Sequence, residues 1–307
     1  MPRIVSLIAS ATEIVCALGM KDQLVGRSHE CDYPESVKRL PVCTEPKFDV
    51  HGSSAEIDRR VKSVLADATS VYRVHTELLR QLAPDVIITQ TQCAVCAVSE
   101  RDVELALAAW LEKKPRVVSL EPNNLGDVWK DIQRVADALE ITQRGQDLLG
   151  RLQDRLENLA DCARRISRRP TVACLEWIDP LMAAGNWLPE LVDLAGGLNL
   201  FGAAGKHSPA MKWHEVCQKD PEIIVAMPCG LDLARTREEM LVLTGNPEWC
   251  NLQAVKNRQV YGTDGNQYFN RPGPRLVESA EILAEICHPD VFSFGHERRG
   301  WQRFGEW

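Results

Sequence analysis

Short runs of β-branched and aliphatic residues recur along this chain, and longer amphipathic stretches separate them. The runs cover Arg3 to Ile8, Gln23 to Arg27, Asp85 to Thr89, Arg116 to Leu120, Thr171 to Trp177, Glu222 to Met227 and Gln259 to Gly262. That alternation predicts an α/β fold with mainly parallel sheets, because strand, crossover helix and strand must follow one another. At 307 residues the chain exceeds what one hydrophobic core usually organises, so two domains of roughly 120 to 150 residues are expected. An internal echo supports two similar lobes. Pro84-Asp85-Val86-Ile87-Ile88 is matched by Pro221-Glu222-Ile223-Ile224-Val225, and each is followed by a basic residue and a further strand at Arg116-Val117-Val118 and Arg258-Gln259-Val260.

Between the lobes, apolar Leu148, Leu149, Leu152, Leu156, Leu159 and Ile166 lie among charges, a pattern that predicts one long helix over Thr142 to Arg168. Proline at 170 stops it before the next strand. The expected organisation is an N-terminal lobe over 1–141, a linking helix over 142–168, a C-terminal lobe over 169–290 and a packed tail over 291–307. Two doubly wound lobes joined by a single long α-helix should enclose a ligand cleft and move little on binding.

Composition removes several function classes. A net charge of -7 argues against a nucleic-acid partner, which needs a basic face. No apolar run approaches the roughly 18 residues of a membrane span. The N-terminus enters a strand directly, without the look of a signal peptide, and the 11 cysteines are odd in number and irregularly spaced. A cytoplasmic protein is expected. Catalysis is not expected, since no GxSxG elbow, phosphate-binding glycine loop or HExxH is present.

Several local segments occur in a telling order. Arg3-Ile4-Val5-Ser6-Leu7 precedes Ala11-Thr12-Glu13 and Ala17-Leu18-Gly19. Next come Val25-Gly26-Arg27-Ser28 with Cys31-Asp32-Tyr33-Pro34, then Leu82-Ala83-Pro84-Asp85-Val86-Ile87, Asp193-Leu194-Ala195-Gly196-Gly197 and Trp213-His214-Glu215-Val216. Across about residues 3 to 290 this order resembles the cobalamin and ferric-siderophore periplasmic binding proteins of ABC importers, nearest their vitamin B12-binding branch. The resemblance implies a non-catalytic protein whose ligand is cobalamin, another corrinoid or a related metal chelate.

Open parallel sheets present ligands beyond the carboxyl ends of their strands. Loops at such ends carry Tyr33, Trp177 with Trp187, Trp213, and Tyr268 through Arg271. Aromatic faces with a few amide and cationic donors suit a large, flat, amphipathic ring. The resemblance assigns ligand contact to Tyr33, Trp177, Trp213, Phe269, Asn270 and Arg271. It also implies one docking carboxylate per lobe for an importer. Glu56 matches the first position, whereas the second falls on Lys219 beside Asp220, and that reversal of charge puts docking in question.

Cys31, Cys43 and the pair Cys93 and Cys96 each follow an expected strand of the first lobe, with His29 as a spare nitrogen ligand. Thiolates converging there can hold zinc tetrahedrally or an iron-sulfur cluster. The alternative function is therefore a cytoplasmic metal or iron-sulfur binding protein. Cys16, Cys162, Cys174, Cys217, Cys229, Cys250 and Cys287 read as structural.

Overall fold

The computed structural model describes residues 1–67, 70–91, 100–107 and 114–305. It divides into two compact units, one of Met1–Gly52, Glu56–Pro122 and Gly126–Arg151, the other of Ser53–Ala55, Asn123–Leu125 and Leu152–Trp307. The chain begins β1 (Ile4–Ser6), α1 (Ala9–Ala17), β2 (Leu24–Arg27), β3 (Thr44–Pro46), α2 (Ser54–Asp67), β4 (Tyr72–Val74) and α3 (Thr76–Leu82). It continues β5 (Val86–Gln90), α4 (Glu100–Leu107), β6 (Arg116–Leu120), α5 (Leu125–Ala138) and α6 (Thr142–Arg164). After α6 come β7 (Thr171–Trp177), β8 (Met182–Ala183), α7 (Leu188–Leu194), β9 (Leu198–Asn199), α8 (Trp213–Lys219) and β10 (Ile223–Ala226). The chain closes with α9 (Leu233–Thr244), α10 (Gln253–Lys256), β11 (Val260–Thr263), α11 (Leu276–Cys287) and β12 (Trp301–Arg303).

The first unit is built on a parallel sheet of order β2-β1-β5-β6. Ile4, Val5, Ile87 and Ile88 are fully buried in its two middle strands, which is why those strands read as unbroken aliphatic runs. The second unit carries the order β12-β11-β10-β7-β8, with β9 alongside β7. Its inner strands β7, β10 and β11 are parallel, and β8 and β12 are antiparallel edges. The mainly parallel α/β class expected from the sequence is the class observed. The two echoing segments become β5 and β10, each an interior strand of its own sheet.

Helix α6 begins in the first unit and ends in the second, with Leu148, Leu152, Leu156 and Leu159 forming its buried stripe. It stops at Arg164 rather than Arg168. The Arg165 and Ile166 amides turn back to the carbonyls of Cys162 and Ala163 three residues earlier, so the last turn tightens and unwinds before Pro170. The short antiparallel pair β3 and β4, and the edges β8, β9 and β12, have no counterpart in the sequence reading. The expected tail is in part a strand, because β12 pairs with β11 through Thr263 opposite Trp301 and Tyr261 opposite Arg303.

Candidate functional site

In the second unit, the carboxyl ends of β7, β10 and β11 meet in a tied set of loops. Gly265 lies so close to the turn after β10 that an added Cβ would stand 2.2 Å from the Pro228 carbonyl oxygen. The Asn270 amide donates to the carbonyls of Met227 (2.9 Å) and Gly265 (3.0 Å), so one side chain stitches both loops together. Each such bond contributes about 1 kcal/mol net. The Asn266 amide donates to the Leu231 carbonyl, and Asn266 Oδ1 accepts from Arg271 Nη2 at 2.9 Å. Arg271 is 7 % exposed, a guanidinium held close to the sheet end. Asp264 starts this loop and caps it through the Gln267 amide at 2.7 Å; burial raises its carboxyl above the usual range, with Arg271 opposing the shift. At the end of β7, Glu176 accepts from Ser208 Oγ at 2.7 Å, and half-buried Trp177 donates its indole N–H to the Asp179 carbonyl at 3.1 Å.

Other residues expected to touch ligand prove to be packing residues. Phe269 is 0 % exposed. It takes a left-handed backbone (φ 56°), donates its amide to Ser279 Oγ, and accepts the Trp187 indole N–H on its carbonyl at 2.7 Å. Its ring therefore meets protein, which corrects its assignment to the ligand surface. Trp213 opens α8 and stacks on Trp249 with centroids 6.0 Å apart, within the apolar cluster of this unit. Its indole nitrogen is buried and has no hydrogen-bond partner among the described residues. Beside this loop, Arg275 lies over the Tyr268 ring at 5.1 Å and donates to the Gln267 carbonyl, a brace the sequence reading missed.

In the first unit, the segment after β2 carries Ser28, His29, Glu30, Cys31, Asp32 and Tyr33. Tyr33 is 43 % exposed, as a residue offered to a ligand should be. His29 is fixed by Thr44 at the start of β3, whose Oγ1 lies 2.8 Å from the imidazole Nδ1 and 3.1 Å from the His29 amide. Its ring also packs on Tyr72 at 5.1 Å, and the Tyr72 hydroxyl donates to Glu30 Oε1 at 3.0 Å. Burial, reinforced by the Arg27 guanidinium, lowers the His29 pKa to about 4. Nothing in the sequence marks Thr44 as its partner.

The four-cysteine site gains no support. Cys43 is buried in the apolar layer with Val5 and Leu7, its sulfur so near Gly26 that an added Cβ would approach to 2.7 Å. Burial pushes its thiol up to about 11, far from the thiolate that a metal requires. Cys31 is buried and its Sγ accepts from Thr12 Oγ1 at 3.0 Å. Cys93 and Cys96 lie outside the described residues. Among the described residues no three His, Cys, Asp or Glu gather as metal ligands.

A family model described as periplasmic binding protein matches residues 4–267. The chain belongs to the periplasmic binding protein family. An ABC transporter substrate-binding lipoprotein of Bacillus subtilis is 23 % identical over 299 residues, covering 94 % of this chain and 81 % of that protein. A vitamin B12-binding protein of Vibrio cholerae is 24 % identical over 297 residues, covering 93 % and 87 %. Among solved structures, the apo periplasmic heme-binding protein of Roseiflexus sp. RS-1 superposes with a TM-score of 0.69 at 23 % identity, covering 94 % of this chain and 99 % of that one. The periplasmic vitamin B12-binding protein of Vibrio cholerae gives 0.65 at 20 % identity, covering 93 % and 96 %. Within this family frame, Glu56 lies in the first turn of α2. Lys219 is exposed, and Asp220 is occupied in accepting the Gln253 amide at 2.8 Å, where α10 begins.

Proposed function

We propose that this protein binds a corrinoid such as cobalamin, or a related metal chelate, as the substrate-binding type of its family does, and that it catalyses nothing. The observation that carries the reading is the chemistry at the carboxyl ends of the parallel strands. Tyr33 is presented after β2, Trp177 after β7, and Arg271 with the braced amides of Asn266 and Asn270 after β11. Aromatic faces beside amide and guanidinium donors fit a flat apolar ring with polar side groups. The names of the curated relatives support a ligand of this class.

Titrating cobalamin into the purified protein while following its visible spectrum and the tryptophan fluorescence tests this reading. Saturable one-to-one binding is expected. A Tyr33→Ala change should weaken it about tenfold, the effect of losing one aromatic anchor. Cys16, Cys43, Cys162, Cys174, Cys217, Cys250 and Cys287 are free thiols, and on that ground we place the protein in a reducing compartment, the cytoplasm. Recovery of the native protein outside the inner membrane on cell fractionation would reverse that placement and return importer docking through Glu56 to the account.

A further inference from the structure

We infer that His29 Nε2 is built to coordinate the metal of the bound ligand, so that the ligand is a metal chelate with an open or exchangeable axial position. This rests on the reading above that the ligand is a corrinoid-like chelate, and it adds a protein-to-metal bond which that reading does not require.

The argument starts from one proton. Thr44 Oγ1 donates to Ser28 Oγ at 3.1 Å. A hydroxyl has a single proton, so toward its remaining neighbours Thr44 can only accept. Those neighbours are the His29 amide at 3.1 Å and His29 Nδ1 at 2.8 Å. The imidazole proton is therefore on Nδ1, and the lone pair is on Nε2. Thr44 is 1 % exposed and Ser28 is 2 % exposed, which keeps water from competing for these bonds. A histidine that binds a metal through one nitrogen is commonly oriented in this way, its other N–H spent on a fixed acceptor.

Three further observations fit a coordinating nitrogen. The side chain keeps 23 % of its surface exposed although its Nδ1 edge faces a buried hydroxyl. The nearest carboxylate oxygen, Glu30 Oε1, stands 3.9 Å from Nε2, beyond hydrogen-bond reach, and takes the Tyr72 proton instead. The ring is held against Tyr72, and with its pKa lowered to about 4 it is neutral at pH 7, the form that ligates. His29 also sits just past the end of β2, at the sheet edge where ligands of parallel α/β folds bind.

The test uses three probes, aquocobalamin, ferric protoporphyrin and metal-free protoporphyrin, on the wild-type protein and on His29→Gly. Wild type is expected to bind at least one metallated probe with the visible spectrum of a nitrogen-ligated metal. His29→Gly should bind that probe at least tenfold more weakly and lose the spectrum, and added imidazole should restore it. Any binding of metal-free porphyrin should be unchanged by the substitution. If wild type and His29→Gly bind the metallated probe with the same affinity and spectrum, the coordination is wrong while the ligand class stands. If wild type binds none of the three probes, both readings fall. Nitrogen chemical shifts of His29 in the ligand-free protein give an independent check, since protonation on Nε2 instead of Nδ1 would overturn the inference.

Discussion

At the scale of single residues, chemistry after the strands is decided by partners that are distant in sequence. His29 draws its orientation from Thr44, 15 positions away, and its neutrality from burial. A histidine whose folded pKa is about 4, below the ordinary 6.5, binds fewer protons than the unfolded chain between those values. Its contribution to stability is therefore full above about pH 6.5 and is lost as pH falls toward 4. A His29→Gln variant should show a flatter fall in Tm across that window, and an unchanged slope would show that the residue is not held neutral. Trp213 belongs to the apolar layer with Trp249, so Trp213→Ala should cost about 3 kcal/mol of stability in chemical denaturation. A loss under about 0.5 kcal/mol would mean that the stacking contributes little.

At the scale of elements, α11 organises the end of the chain through one buried carboxylate. Glu285 Oε1 accepts the amides of Phe294 and Gly295, and Oε2 accepts the Trp301 indole N–H at 2.6 Å. That carboxylate sets the turn from which β12 enters the sheet beside β11. Glu285→Ala should release residues 291–305 to limited proteolysis while the rest of the protein resists. Equal resistance of variant and wild type would show that strand pairing alone holds the segment. The sequence revealed the long elements and missed the short ones for one reason. The aliphatic runs of β1, β5, β7 and β10 are buried in sheet interiors, whereas β3, β8, β9 and β12 are two or three residues long and leave no periodic trace. The site was legible to a similar depth. Its place at the strand ends followed from the parallel topology, and Tyr33 and Arg271 were found there. Phe269 was misread because a left-handed turn sends its ring into the core while Asn270 beside it faces the loops. Cys43 was misread because position after a strand says nothing of depth, and its sulfur is buried against Gly26.

At the scale of the molecule, a family model spans residues 4–267 and relatives align over more than nine tenths of the chain, so no catalytic domain has been inserted into the matched region. The central claim is that the strand-end chemistry of this fold holds a metal-bearing ring. Isothermal titration calorimetry of the purified protein against cobalamin, ferric protoporphyrin and a ferric siderophore tests that claim most directly. The account predicts one-to-one binding of cobalamin or another member of the panel with a dissociation constant of about 1 μM or lower, near -8 kcal/mol. Heats indistinguishable from dilution for all three ligands, from protein shown to be folded, would contradict it.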